Sequence, residues 1–364
     1  MPSNAMLQSC LTAPLGDDVF SEDPTVALLE STIAKMFNKS SALYLPSGTM
    51  SNLCGIMAHC NVRNSEIIIG SNSHLSMYEG GNISTIAAVA SKQIPEDPIT
   101  SQMNLKSIGE AIRGDDQHFP ITRVVSLENT HNVMGGVPLA TSYVNELRTL
   151  IDSVNFDTTG GSGRAATSHY VDRHPYDDRN VKIHVDGARI FNAAESLNEN
   201  LADMCASVDS ISVCLSKGLG APVGSVLVAD EQTIRKARRA RKAMGGGMRQ
   251  SGILAAMALH ALENNVERLK DDRENAVFLS QVMVTNGFTL PESGTPRTNI
   301  LYFGVNNNSR LSINEVVEEF RINGVALGGG YQGGRFCRAV LNSTVNNRGV
   351  EVVEKAIIKV GAKL

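Results

Sequence analysis

Short apolar, β-branched runs recur along the chain at 66–69, 123–127, 182–185, 210–215 and 225–228, set between helical patterns and glycine-rich turns. Several are apolar at both odd and even positions. Side chains alternate across a strand, so this pattern predicts strands covered on both faces. Their alternation with helical segments predicts an α/β layered domain on a mostly parallel sheet. Ligand-handling residues in such sheets gather just past strand ends. The 128–131 segment, Asp186 and Lys217 all stand at such places.

The pattern changes near residue 247. A long amphipathic stretch at 248–270, rich in Ala, Leu and Met, predicts a linking helix. Beyond it, 299–303 reads as a strand and 313–323 and 350–360 as helices, which together make a smaller α+β domain. The expected organisation is an N-terminal arm at 1–22, a large domain at 23–246, and a linking helix with a small C-terminal domain at 247–364. Within the large domain, 157–180 (DTTGGSGRAATSHYVDRHPYDDRN) has almost no apolar content. It predicts a mobile surface insertion, and its His169 and His174 read as loop residues rather than metal ligands.

A net charge of −4 gives no general attraction to nucleic acid or to acidic membranes. The basic run 235–242 (RKARRARK) therefore reads as a solvated or interface helix. The six cysteines are scattered without a CxxC pair, which predicts buried thiols in a reducing compartment. Residues 1–15 lack the features of a signal peptide, and no apolar run is long enough to span a membrane, so the expected location is cytoplasmic.

Lys217 follows an apolar strand and precedes Gly-Leu-Gly in SISVCLSKGLG. A lysine there can snorkel into solvent, or it can serve as an amine nucleophile toward an aldehyde. Asp186 closes the strand of KIHVDGARIFN and either caps the next helix or aims a carboxylate into a strand-end crevice. A carboxylate so placed can pair with a pyridinium nitrogen, and one strand–helix–strand unit carries the chain from Asp186 to Lys217. Ser47-Gly48-Thr49 opens a helical run, where free amides bind phosphate or simply start a capped helix. His74, with Glu79-Gly80-Gly81, and His131 of LENTHNVMGGVPL can stack on a ring or move a proton.

Taken together, these segments resemble the low-specificity L-threonine aldolases, enzymes of the aspartate-aminotransferase fold type that use pyridoxal phosphate. The matching stretches are GDDVF, EDPTV, SGT, LENTHN, HVDGARIFNA, LSKGLGAPVGS and GGGMRQSGILAA. The resemblance implies a mostly parallel seven-stranded sheet sandwiched by helices. It makes Lys217 the Schiff-base lysine and Asp186 the pyridinium partner, with Gly48, Thr49 and Ser216 toward the cofactor. His74 matches the ring-stacking histidine and His131 the second active-site histidine. Arg189 stands between cofactor and substrate carboxylate, and Arg338 of the small domain binds that carboxylate. Arg249 matches a residue that reaches a cofactor phosphate across a subunit interface, in a homodimer or homotetramer with shared sites.

The implied reaction is cleavage of L-threonine or L-allo-threonine to glycine and acetaldehyde, with His131, His74 or an activated water as the base. Two departures fall on the substrate side. Family members carry Arg-Ser-Asp-Thr ahead of the Pro-Ser that is here Pro2-Ser3, and a histidine where this chain has Asn342. The alternative reading is thus a family member that binds pyridoxal phosphate with weak or lost aldolase activity. Racemisation or β-elimination on a related amino acid is a third reading.

Overall fold

The computed structural model describes residues 2–113, 116–159 and 180–364. Most of the expected 157–180 insertion, with His169 and His174, lies outside the described residues. Among the described residues, the large sheet has strands β1 (Ser41–Leu45), β2 (Ser65–Gly70), β3 (Ala90–Ile94), β4 (Ile121–Glu128), β5 (Lys182–Gly187), β6 (Ser210–Cys214) and β7 (Ser225–Ala229). They lie in the order β1-β7-β6-β5-β4-β2-β3. Only β7 runs against its neighbours. The expected mostly parallel sheet is present, and β1 and β3 complete it beyond the runs read from the sequence.

Both parities of these strands are buried, and each parity serves a different core. Ala42 and Tyr44, Ile183 and Val185, Ile211 and Val213, and Val226 and Val228 pack with helices Pro24–Met36 and Gly252–Asn265. Leu43, Leu45, Leu227 and Ala229 face the opposite way, against helices Gly48–His59 and Glu231–Ala243. Two helical layers thus explain why alternation is lost from the apolar pattern. The basic run 235–242 falls on the second of these helices, with Ala237 and Ala240 turned to the sheet.

The expected 248–270 helix is two helices, Gly252–Asn265 and Leu269–Thr285. Asn265 ends the first, and its amide donates to the Leu219 carbonyl at 2.6 Å. That bond ties the helix end to the turn carrying Lys217. The first helix packs into the large core through Ala255, Ala258 and Ala261, while Ala276, Leu279 and Met283 of the second enter the small-domain core. The N-terminal helix Asn4–Ser9 also packs on the large domain through Met6. The small domain adds β8 (Phe288–Thr289), β9 (Ile300–Val305), β10 (Gly328–Gly330) and β11 (Phe336–Val340), all antiparallel in the order β10-β11-β9-β8. Helices Ile313–Ile322 and Asn347–Gly361 cover this sheet near the positions read from the sequence.

Helix Gly48–His59 lies close on the sheet at Gly55. A Cβ added there would sit 2.9 Å from Cε1 of His184 and 3.1 Å from Cδ1 of Leu227. In an open helix Gly→Ala gains about 1 kcal/mol, but overpacking a rigid interior costs about 1–3 kcal/mol. Gly55→Ala is therefore expected to lower stability, read as a lower urea midpoint. A raised midpoint would show that the helix can move away from the sheet.

Candidate active site

The parallel strands β1, β2, β4, β5 and β6 bring their C-terminal ends to one edge of the sheet. Chain segments leaving that edge carry the polar groups. After β1, Ser47 caps the helix Gly48–His59, its Oγ accepting the Met50 N–H at 3.2 Å. The Gly48 and Thr49 amides lie in the first turn, where no intrahelical acceptor exists. A Cβ on Gly48 would stand 2.7 Å from Sγ of Cys214, so only glycine leaves this backbone open.

Asp186 ends the apolar part of β5 and is paired in register with Glu128 of β4 and Ser212 of β6. It is 3% exposed. Its Oδ1 accepts the Ala188 N–H at 3.1 Å and its Oδ2 accepts Nδ2 of Asn52 at 3.0 Å. The same Asn52 nitrogen donates to Oε1 of Glu79 at 2.9 Å. His74 opens a short helix after β2, with its N–H donating to Glu128 at 2.6 Å. Its Nδ1 stands 3.0 Å from Oε1 of Glu79. That bond holds the His74 imidazolium pKa above its ordinary value, against the opposing effect of burial. Polar atoms of His74, Glu79 and Asp186 all lie within 4.8 Å of one another.

Lys217 follows β6 on a turn closed by the Gly220 N–H to the Lys217 carbonyl at 2.9 Å. It lines a cleft of about 480 Å³ with Arg189, Ser216, Asn299 and Asn342, so both domains contribute walls. Arg189 and Arg338 meet at Oδ1 of Asn132, at 3.4 Å and 2.8 Å. Burial, and then the neighbouring Arg338 charge, push the Arg189 pKa down. Arg338 also lies over the Tyr331 ring, 4.6 Å from its centroid. Glu128 accepts the Asn132 N–H at 2.8 Å, so one carboxylate fixes both the His74 helix and the LENTHN loop.

The structure thus brings Lys217, Ser216 and Arg189 into one cleft, and Asp186 beside His74. It places two further residues differently. His131 is 1% exposed, with Nε2 held 3.1 Å from Oε1 of Glu96. Burial alone would depress the pKa of His131, yet the Glu128 and Glu96 carboxylates raise it. Arg249 points outward, 62% exposed and 2.5 Å from Oδ2 of Asp17. Asn342 lines the cleft, but its Oδ1 accepts from Thr344 in a local turn.

Residues of this site that sequence reasoning passed over include Asn52, Glu96, Asn132 and His184; Glu128 stood in the strand-end segment 128–131 without a role of its own. A signal was present for His184: in KIHVDG and SISVC the apolar residues occupy one parity and the polar residues the other. Asn52 and Glu96 gave no local signal, because each acts across a long separation in the chain.

These residues fit a bound pyridoxal phosphate. The glycine-opened helix start suits a phosphate, and the paired carboxylates of Asp186 and Glu79 suit a protonated ring nitrogen. The Lys217 side-chain nitrogen makes no ion pair or hydrogen bond among the described residues, which leaves it free for an aldehyde.

Comparison with known proteins agrees with this geometry. The beta-eliminating lyase family model matches residues 1–305. The chain is 38% identical over 328 residues to low-specificity L-threonine aldolase 1 of Arabidopsis thaliana, covering 90% of this chain and 84% of the relative. It is 36% identical over 317 residues to the low specificity L-threonine aldolase of Escherichia coli strain K12, covering 87% and 85%. In fold it matches the crystal structure of a putative L-allo-threonine aldolase from Listeria monocytogenes, with a TM-score of 0.76 at 17% identity, covering 98% of this chain and 93% of that one. On its own sequence, therefore, this chain belongs to the beta-eliminating lyase family, among the low-specificity L-threonine aldolases.

Proposed function

We propose that this chain cleaves L-threonine and L-allo-threonine to glycine and acetaldehyde, with pyridoxal phosphate held on Lys217. One observation carries the reading. Lys217 and Arg189 line one cleft between two domains, Arg338 pairs with that Arg189, and the His74–Glu79–Asp186 cluster feels the Lys217 charge at the same strand-end edge. Bound pyridoxal phosphate supplies the electron sink for breaking a bond to the amino-acid α-carbon.

The chain's residues supply the rest. Lys217 anchors the cofactor aldehyde, Asp186 faces its ring nitrogen, and Gly48, Thr49 and Ser216 receive its phosphate. Arg189 and Arg338 fix the substrate carboxylate, which takes the place that Oδ1 of Asn132 holds between them. Fixing that group orients the Cα–Cβ bond for cleavage. His74 donates through Nδ1 to Glu79, so its Nε2 is the acceptor in the neutral ring. That nitrogen takes the β-hydroxyl proton, and Glu79 stabilises the resulting imidazolium. His131, buried against Glu96 and Glu128, supports the loop carrying Asn132.

Arg249, exposed at the surface, is the residue of this site suited to a neighbouring subunit, in a homodimer or homotetramer. The cysteines described are all free, which suits a cytoplasmic setting.

Acetaldehyde release from threonine in the presence of pyridoxal phosphate tests the reaction. Lys217→Ala is expected to fall to the level of free cofactor, and wild-type protein that releases none would contradict the reading. Arg338→Ala loses a charge-assisted contact, expected to lower kcat/KM by about 10- to 100-fold, chiefly through KM. His74→Asn is expected to lower kcat by about 10²–10⁴-fold, and near-normal turnover would remove His74 as the base. Because the Glu79 hydrogen bond favours the charged ring, Glu79→Gln is expected to lower the His74 pKa. An NMR titration with an unchanged His74 midpoint would contradict that coupling.

A further inference from the structure

A polar seam runs under the helix Gly48–His59, on the sheet face opposite the main core. On β5 the alternation that turns Ile183 and Val185 into that core turns His184 and Asp186 the other way. On β6 it does the same for Ser210 and Ser212. Asn52, His184 and Ser210 are at most 1% exposed. A continuous chain of hydrogen bonds connects them. Asn52 stands 3.0 Å from Asp186 and 3.1 Å from Nε2 of His184. Nδ1 of His184 is 2.8 Å from Oγ of Ser210, which is 2.8 Å from Nε2 of His59 at the helix end.

Chemistry fixes the direction of every proton in this chain. The Asn52 nitrogen faces two carboxylates, Asp186 and Glu79, which only accept. Its amide oxygen must then face His184, whose Nε2 carries the hydrogen. Burial pushes the His184 pKa down to about 3 and that of His59 down to about 4, so both rings are neutral near neutral pH. A neutral ring with hydrogen on Nε2 accepts at Nδ1, so the Ser210 hydroxyl donates to His184. Its one proton spent, Ser210 accepts from Nε2–H of His59. Each donor points toward Asp186.

We propose that His59, Ser210, His184 and Asn52 form a one-way donor relay that positions Asp186 as an anion turned toward the cofactor ring nitrogen. His59 is then a positioning residue for the cofactor, acting from the far end of its helix. The proposal rests on the reading of Asp186 as the ring-nitrogen partner. Hydrogen bonds in series polarise one another, so loss of the last donor weakens the bond at the first acceptor. A seam of apolar side chains would hold helix and sheet together without desolvating these groups.

The relay is tested on holoenzyme reconstituted with pyridoxal phosphate labelled with ¹⁵N in the ring. Two quantities are read: the ring-nitrogen chemical shift and the cofactor dissociation constant. His59→Leu and Ser210→Ala are each expected to raise the dissociation constant by about 3- to 10-fold, the effect of about one hydrogen bond. Both should move the shift toward unprotonated pyridine. His59→Gln, with a side-chain nitrogen able to donate in the same place, should restore wild-type values. Asp186→Asn is the control.

If Asp186→Asn moves both quantities while His59→Leu and Ser210→Ala move neither, the relay is overturned and the reading of Asp186 stands. If Asp186→Asn moves neither, that reading fails and the relay falls with it. Failure of His59→Gln to restore them would overturn the donor assignment. Should His59→Leu not fold, the smaller Ser210→Ala change decides alone.

Discussion

A carboxylate removed from water must be given donors or it loses its charge. Asp186, 3% exposed near the end of β5, receives one from the Ala188 backbone and one from Asn52. Much of the large domain follows from that need. Asn52 reaches Asp186 only because helix Gly48–His59 lies close on the sheet, and the bare backbone at Gly55 permits that approach. The start of the same helix presents the Gly48 and Thr49 amides at the strand-end edge. One packing contact therefore sets both the carboxylate proposed to face the ring nitrogen and the amides proposed to receive the phosphate.

The second organising group is Glu128, at the end of the neighbouring strand β4. It accepts from the backbone of His74 on one side and of Asn132 on the other. Asn132 in turn bridges Arg189 of the large domain and Arg338 of the small one. Two like-charged guanidinium groups repel, so a neutral oxygen between them keeps both aimed at the place where an anion binds. The arginine pair is thus assembled from both domains, while the His74–Glu79–Asp186 cluster belongs to the large domain.

Much of this was legible in the sequence. Runs such as EIII and SVLVA declared strands because a sheet covered on both faces needs apolar residues at both parities. Lys217 and Asp186, each readable alone as a snorkelling lysine or a helix cap, stood out together with the Gly48-Thr49 helix start and the family motifs. β3 was not legible: four of its five residues, ASKQ, are exposed and only Ile94 is buried, and it is an edge strand paired only with β2. The 248–270 segment read as one helix because periodicity does not register the break at 266–268, beside which Asn265 bonds the remote Leu219 carbonyl. Asn52 and Glu96 stayed hidden for a related reason. Their partners, Asp186 and His131, are remote in sequence, and polar residues within a helix or after a strand look ordinary until the fold closes.

The central claim is that the Lys217 nitrogen holds the cofactor at the strand-end edge it shares with Asp186. Borohydride reduction of the holoenzyme, followed by peptide mapping in a mass spectrometer, measures this directly. The expected result is a pyridoxyl group on the peptide containing Lys217 and on no other. A label on a different lysine, or no covalent label in protein that has bound pyridoxal phosphate, would contradict it.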